Sequence, residues 1–263
     1  MREVFAKWLW DLRRSILAWS IGISAVGVLY ATFYPTMTTP GLAEFMRNFP
    51  SELLTAMGIG DFTTAAGYLG STTYGILGPI LMIVFAASLG SRAIAGDEEA
   101  GRLDVLIAHP VPRSGFLVGR AAAMIVALAI AGLVLFAVMI AISGLAQLAE
   151  IGAVNLAAAS VQLVLLGSVF GALALAAGAA TGRRTIAAGS VAIVGVVTYF
   201  GNTLGPSIDA LAWTQSLSPF HYYSGGEPLR NGLQMFDSLV LAAATVVLVV
   251  LAVIAFRRRD LAI

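Results

Sequence analysis

Long apolar runs, each bounded by polar or charged positions, dominate the pattern of this chain. A membrane-spanning helix needs about 20 consecutive apolar residues. Six runs reach that length, at residues 16–34, 72–91, 117–143, 156–180, 185–203 and 238–256. The runs lack the alternation of apolar and polar positions that barrel strands require. The pattern therefore predicts an all-α membrane protein of six transmembrane helices in one domain, residues 1–263.

The composition supports a membrane protein over a soluble one. Hydrophobic residues make up 59% of the chain and charged residues 11%, whereas soluble domains are about 45–50% apolar and ~25% charged. Mean hydropathy is +0.91. The first run is too long for a signal-peptide core, and no A-x-A-like site follows before Pro35. We interpret it as a retained first span.

Basic residues fix the predicted orientation. Thirteen of the fifteen lie on one side of the six runs, and only Arg47 and Arg230 lie on the other. The positive-inside rule then places both termini in the cytoplasm. We expect a multi-pass protein of the cell membrane, the inner membrane in a bacterium. The net charge of +1 gives no reason to expect a nucleic-acid partner.

The predicted spans contain no Asp, Glu, Lys or His. Arg92, Arg120 and Asp237 lie at span ends, where we expect them to reach water. Because buried ionisable groups mark proton and ion pathways, their absence argues against a proton-coupled carrier and a filter-type channel.

Motifs for chemistry within this chain are also missing. The one lysine, Lys7, has no Walker A glycines before it. No G-x-S-x-G elbow occurs, and His109 and His221 fall on opposite predicted faces. We therefore predict no catalytic residue, metal site or cofactor in this chain, and an ATP site on another polypeptide if transport is driven by ATP.

Small residues at helical spacing mark the fourth run. Gly167 and Gly171 form a small-x-x-x-small stripe, which lets helix backbones approach closely in lipid. The stripe fits either tight packing within the chain or a dimer face.

Residues 2–14 have the pattern of an amphipathic helix. At about 100° per residue one arc is apolar, and Trp10 is an exception that suits the membrane interface. This pattern predicts a helix on the inner leaflet; a plain basic flank before the first span is the alternative. The arc holds Val4, Phe5, Trp8, Leu9 and Leu12.

The segment between the second and third runs carries the most information. We expect Gly96 to end the preceding helix and Asp97 to cap a short helix, with Glu98 and Glu99 in its first turn. Pro110 would end it. An apolar edge at Leu103, Leu106 and Ile107 fits either docking to a partner or packing on the chain's own bundle.

Three stretches resemble one known family. Residues 94–113 resemble the signature of type 2 ABC transporter permeases, with Arg102 in place of the usual Thr. Residues 217–223, followed by Pro228, Leu229 and Gly232, resemble that family's outer segment. Residues 256–261 resemble its usual ending after the last span.

The resemblance implies the membrane half of an ATP-driven exporter. Two permeases, identical or related, would pair in the lipid membrane above two separate ABC ATPase subunits that bind ATP and Mg. The N-terminal helix, with Phe5, Trp8, Trp10 and Leu12, would match the family's interfacial helix. The outer segment 204–237 would close the outer end of the pathway, through Leu217, Ser218, Pro219, Phe220 and His221. The implied coupling residues are Asp97, Glu98, Glu99, Gly101, Arg102, Leu103, Asp104, Leu106, Ile107, His109 and Pro110.

Two other functions stay open. A membrane anchor or assembly subunit would use the same docking segment without moving a substrate. An ATP-independent carrier has little support from the residues. The apolar spans favour an amphipathic or hydrophobic cargo and do not identify it.

Overall fold

The computed structural model describes residues 2–37, 64–101, 112–148, 150–205 and 212–259. Helices account for nearly all of these residues, and no strand occurs among them. In chain order the helices are α1 (Arg2–Asp11), α2 (Arg13–Met37), α3 (Ala65–Glu99), α4 (Arg113–Ile142), α5 (Ala153–Thr181), α6 (Arg184–Leu204), α7 (Ala212–Leu217), α8 (Pro219–Ser224), α9 (Pro228–Asn231) and α10 (Met235–Arg258).

Six of these helices, α2 to α6 and α10, are long and apolar enough to cross a membrane. Each covers one of the predicted runs, apart from Ser143 of run 117–143, which follows the end of α4, so the prediction of six spanning helices is confirmed. The largest difference is in α3, which begins at Ala65 and ends at Glu99 rather than covering only residues 72–91. The extra turns bring the acidic residues 97–99 onto the end of a spanning helix.

The bundle is built around α5, which packs against α3, α4, α6 and α10. Small residues permit this packing. A Cβ atom on Gly167 would lie 2.7 Å from Met82 Cγ of α3, and one on Gly171 would lie 2.8 Å from Met124 Sδ of α4. Both glycines are therefore buried in packing within the chain, which is the first of the two alternatives that the sequence left open.

Two turns of α3 are wound as π-helix, at Thr73–Leu77 and Arg92–Gly96. The first lies just before Pro79, which has no N–H to donate and whose ring crowds the preceding turn. Gly75 and Gly78 accommodate the wider turn, because a Cβ on either would overlap the carbonyl oxygen five residues earlier. The sequence therefore does not break the helix here but widens it.

At each π-turn one backbone carbonyl loses its usual amide donor and accepts a hydrogen bond from a side chain of another helix instead. The amide of Gly78 donates to Thr73 O rather than to Tyr74 O, and the Tyr74 oxygen accepts a hydrogen bond from the Tyr223 hydroxyl at 2.5 Å. Likewise, the amide of Asp97 donates to Ile94 O, and Ala93 O accepts from Arg120 Nη1. In this way α3 is bound to other elements at both of its ends.

The expectation that Gly96 ends the second spanning helix is wrong, and so is the expectation that Asp97 is an N-cap. Gly96 has helical angles (φ −67°, ψ −35°), and Asp97 follows in the same conformation. The helix ends at Glu99, and Gly101 then adopts a left-handed φ of +63°. A glycine in that conformation is the usual stop signal just after a helix.

The N-terminal segment is helical, and its apolar arc faces the protein. Trp8 and Leu12 are buried, and Phe5 packs on the same cluster, while Trp10 is exposed. Because α1 packs against α4, the buried part of the arc contacts the bundle, and the location of α1 on the inner leaflet stays a prediction.

We predict that Gly90→Ala destabilises the bundle by ~1–3 kcal/mol, the usual cost of overpacking. A Cβ on Gly90 would overlap the carbonyl oxygen of Gly171 and lie 2.8 Å from Ala174 Cβ. The measurement is the free energy of unfolding in detergent micelles. Gly189→Ala is the matched control, since no atom lies within 4 Å of its Cβ position. Equal stability of the two variants would contradict the packing described for α3 and α5.

Candidate coupling site and outer segment

Five charged residues meet at the end of the bundle where α3 ends. We call Asp97, Glu98, Glu99, Arg120 and Arg259 the charge cluster. The three acidic residues are consecutive on the last turn of α3, so their side chains point in different directions around the helix. Each therefore contacts a different part of the bundle.

Asp97 forms an ion pair with Arg120 of α4, with 2.5 Å between Oδ2 and Nη1. The expectation that Arg120 reaches water is wrong, because its side chain is only 7% exposed. The guanidinium also donates to Ala93 O and lies 4.3 Å from the Phe116 ring centroid. A buried guanidinium requires such partners, since an uncompensated buried charge is costly.

Glu98 pairs with Arg259, the residue that follows α10. Arg259 Nη1 donates to Glu98 Oε2 at 3.1 Å and to Ala179 O of α5 at 3.4 Å, and Nη2 bonds Glu98 Oε1. Gly182 makes this approach possible. Its left-handed φ of +69° ends α5, and a Cβ there would overlap both side chains of the pair.

Glu99 contacts the beginning of α6. Its Oε1 accepts a hydrogen bond from the backbone N–H of Arg184 at 2.8 Å. Arg184 is the first residue of α6, where the backbone N–H groups have no partner within the helix and favour a carboxylate. The tight turn at residues 182–183 is thereby bound to the end of α3.

The charge cluster also contacts α1. The Trp8 ring lies with its centroid 5.6 Å from Arg120 Cζ, within the range of a cation–π contact. With this contact the cluster connects α1, α3, α4, α5, α6 and the end of α10.

Only part of the predicted coupling segment is described. Asp97, Glu98 and Glu99 bind the chain's own bundle, and Gly101 ends α3. Arg102, Leu103, Asp104, Leu106, Ile107, His109 and Pro110 lie outside the described residues. The sequence interpretation did not identify Arg120, Gly182 and Arg259 as partners of the acidic residues. One available signal was the position of Arg120 in an apolar run, where a charged residue needs a partner.

In its described part, from residue 212 onward, the predicted outer segment forms three short helices at the opposite end of α3. Ser218 is fully buried, accepts a hydrogen bond from the Phe220 amide at 3.2 Å and donates to Thr198 O of α6 at 2.8 Å. Pro219 takes the first position of α8, which suits its missing N–H. The Phe220 ring packs between Phe170 and Tyr199, with centroids 5.7 and 5.4 Å away.

The other predicted outer residues are less enclosed. Leu217 is exposed, and the His221 ring makes an edge contact with Tyr222. The residue that fixes α8 to the bundle is Tyr223, which the sequence interpretation did not single out. Burial, with a smaller contribution from Tyr74, raises the pKa of the Tyr223 phenol well above its ordinary value. The hydroxyl therefore stays protonated and donates to Tyr74 O.

The chain is a multi-pass α-helical membrane protein, since six of its helices are apolar and long enough to cross a bilayer. The sequence profile described as ABC-2 family transporter protein matches residues 3–261, and the chain belongs to that family. It is thus a permease component of an ABC transporter. Proteins of this family are membrane components that lack an ATPase domain. No curated protein sequence matches the chain significantly.

We predict that Arg120→Met lowers the free energy of unfolding by ~3–5 kcal/mol, because Asp97 would lose its buried cationic partner. Asp97→Asn should also destabilise, and the double variant should lose less than the sum of the two. Unfolding in detergent micelles measures all three. Arg92→Met is the control, an exposed arginine at the beginning of the same π-turn. Additive losses would show that the two residues do not interact.

Proposed function

We propose that this chain is the membrane subunit of an ATP-driven exporter, working as a dimer with two copies of a separate ABC ATPase. The ATPases would dock on the end of the bundle that carries the charge cluster. The excess of basic residues at this end supports a cytoplasmic location for it. The proposed membrane is the bacterial plasma membrane.

One observation carries this proposal: the charge cluster joins the segment next to the predicted docking residues to almost every long helix. Residues 97–99 are bonded to Arg120 of α4, to Arg184 of α6 and to Arg259 after α10. A displacement of the docking segment would therefore move several spanning helices together. A loop bound only to its two neighbouring helices would not have this effect.

The coupling itself must be thermodynamic. The ATPase pair drives transport only if it binds the inward-open and outward-open permease with different free energies. On this proposal the apolar residues Leu103, Leu106 and Ile107 contact the ATPase. The acidic residues 97–99 then hold that docking surface in a fixed position relative to the bundle.

The cargo is proposed to be amphipathic or hydrophobic. The spans are apolar, and the buried arginine of α4 is neutralised by Asp97 at the bundle end rather than placed midway along the helix. A strongly charged cargo would find few complementary side chains within the spans. This is a proposal about chemical class only.

The test is a charge exchange between Glu98 and Arg259. Glu98→Arg or Arg259→Glu alone places like charges together, and we expect either to lower permease-stimulated ATP hydrolysis about fivefold or more, the usual size of an allosteric coupling. The double exchange should restore much of the activity. The assay uses the complex with its co-purified ATPase in vesicles, with a fluorescent phospholipid as the transport probe.

Arg258→Glu is the matched control, because it makes the same charge change on the exposed neighbour of Arg259. Failure of the double exchange to restore hydrolysis would contradict an internal role for the pair. Stimulated hydrolysis without ATP-dependent movement of the probe would favour the anchor or assembly subunit over the exporter.

A further inference from the structure

We infer that the outer end of the bundle binds a zwitterionic phospholipid with a primary ammonium group, such as phosphatidylethanolamine. The proposed site is a cavity of about 210 Å³ at the beginning of α3. It is lined by the first turns of α3 on one side and by α8 and α9 on the other. Its lining residues include Gly67, Gly70, Tyr223, Glu227, Leu229 and Arg230.

The inner part of the cavity suits an apolar group. Gly70 is exposed into it and Leu229 forms part of its wall. The two tyrosines at its base already use their hydroxyl groups, Tyr223 on Tyr74 O at 2.5 Å and Tyr74 with Ser160 Oγ at 3.1 Å. Ser71 and Ser224 also line the cavity, and the Ser224 hydroxyl donates to Phe220 O at 3.0 Å. Because the tyrosine and Ser224 hydroxyls are already bonded, an acyl chain or glycerol portion fits better than a polar group.

The rim of the cavity carries opposite charges side by side. Arg230 Nη1 lies 3.5 Å from Glu227 Oε2 and Nη2 donates to Thr64 Oγ1 at 3.3 Å, while the side chains of the ion pair are substantially exposed. An exposed pair at this distance contributes little stability and can be shared with a ligand. A headgroup with both charges matches the rim, because its phosphate can contact the guanidinium while its ammonium contacts the carboxylate.

Net charge favours a zwitterion over an anion. The predicted outer segments contain seven acidic residues and only two basic residues, Arg47 and Arg230. This net negative charge disfavours a purely anionic ligand, and a purely cationic ligand would meet Arg230 at the rim. The volume is smaller than that of a typical drug site, which is about 300–1,000 Å³, and accommodates a part of one lipid rather than a whole drug-sized molecule.

The backbone at the rim is also held in an uncommon conformation. Glu227 has φ +47°, in the left-handed region, directly before Pro228. Residues with side chains rarely adopt this conformation, and such strain is concentrated at ligand sites. Here it places the carboxylate of Glu227 within reach of the first turn of α9, where Arg230 lies.

The test uses the purified chain without any ATPase, so its result does not depend on the proposed transport function. The protein is incorporated into vesicles of equal parts phosphatidylethanolamine, phosphatidylcholine and phosphatidylglycerol, extracted in mild detergent, and its retained lipids are measured by mass spectrometry. We expect phosphatidylethanolamine to be enriched several-fold over its share in the vesicle. Retention of the three lipids in vesicle proportions would overturn the inference.

Two kinds of variant locate the site. Gly70→Leu should fill the cavity and remove the enrichment, and Gly70→Ala, whose Cβ meets only Leu229 Cδ1 at 3.8 Å, should reduce it while leaving the fold intact. Gly22→Leu on the exposed face of α2 is the control, since no atom lies within 4 Å of its Cβ position. Unchanged enrichment in both Gly70 variants would exclude this cavity.

Charge variants test recognition of the headgroup, and a soluble competitor tests whether the acyl chains of the lipid contribute to binding. Glu227→Gln should shift the preference towards phosphatidylglycerol, and Arg230→Gln should lower retention of all three phospholipids at this site. Soluble glycerophosphoethanolamine should not displace the lipid. Displacement by that compound would overturn a lipid site and favour a soluble zwitterion.

Discussion

The structure depends on satisfying the buried backbone of α3. Tyr74 and Ala93 are buried, and a buried carbonyl that loses its helical partner must find another donor. The two π-turns of α3 create this situation, and Arg120 and Tyr223 supply the donors, to Ala93 O and Tyr74 O. The same two bonds attach α3 to α4 at one end and to α8 at the other. The π-turns of α3 thus determine where α4 and α8 are attached to it.

Much of the fold could be predicted from the sequence because the bilayer imposes a simple length requirement. Each apolar run had to form a helix long enough to span it, and the amphipathic pattern of residues 2–14 identified α1. Whether the apolar arc of α1 faces lipid or protein was less predictable. Trp8 suits both an interface and a protein core, and its contact with the Arg120 guanidinium of α4 cannot be read from the local pattern.

The candidate site was less predictable because its contacts are distant in sequence. Glu98 and Arg259 are 161 residues apart in the sequence, and nothing local indicates that they meet. Gly96 illustrates a second difficulty. A glycine after an apolar run usually suggests a helix end, but the wider π-turn at Arg92–Gly96 lets the helix continue until Gly101 adopts a left-handed conformation. Local propensity could not distinguish these two glycines, whereas tertiary contacts do.

The position of α3 gives the proposed transport mechanism its physical basis. At about 1.5 Å per residue its 35 residues extend ~50 Å, so one element reaches from the charge cluster to the outer segment. A regular α-helix would transmit a displacement as a rigid body, and the outer helices α8 and α9 would move with residues 97–99. The π-turns add sites where the hydrogen-bond register differs from that of the rest of the helix. On the proposed mechanism these are the positions where α3 can bend, and the bonds from Arg120 and Tyr223 then decide which helices follow the bend.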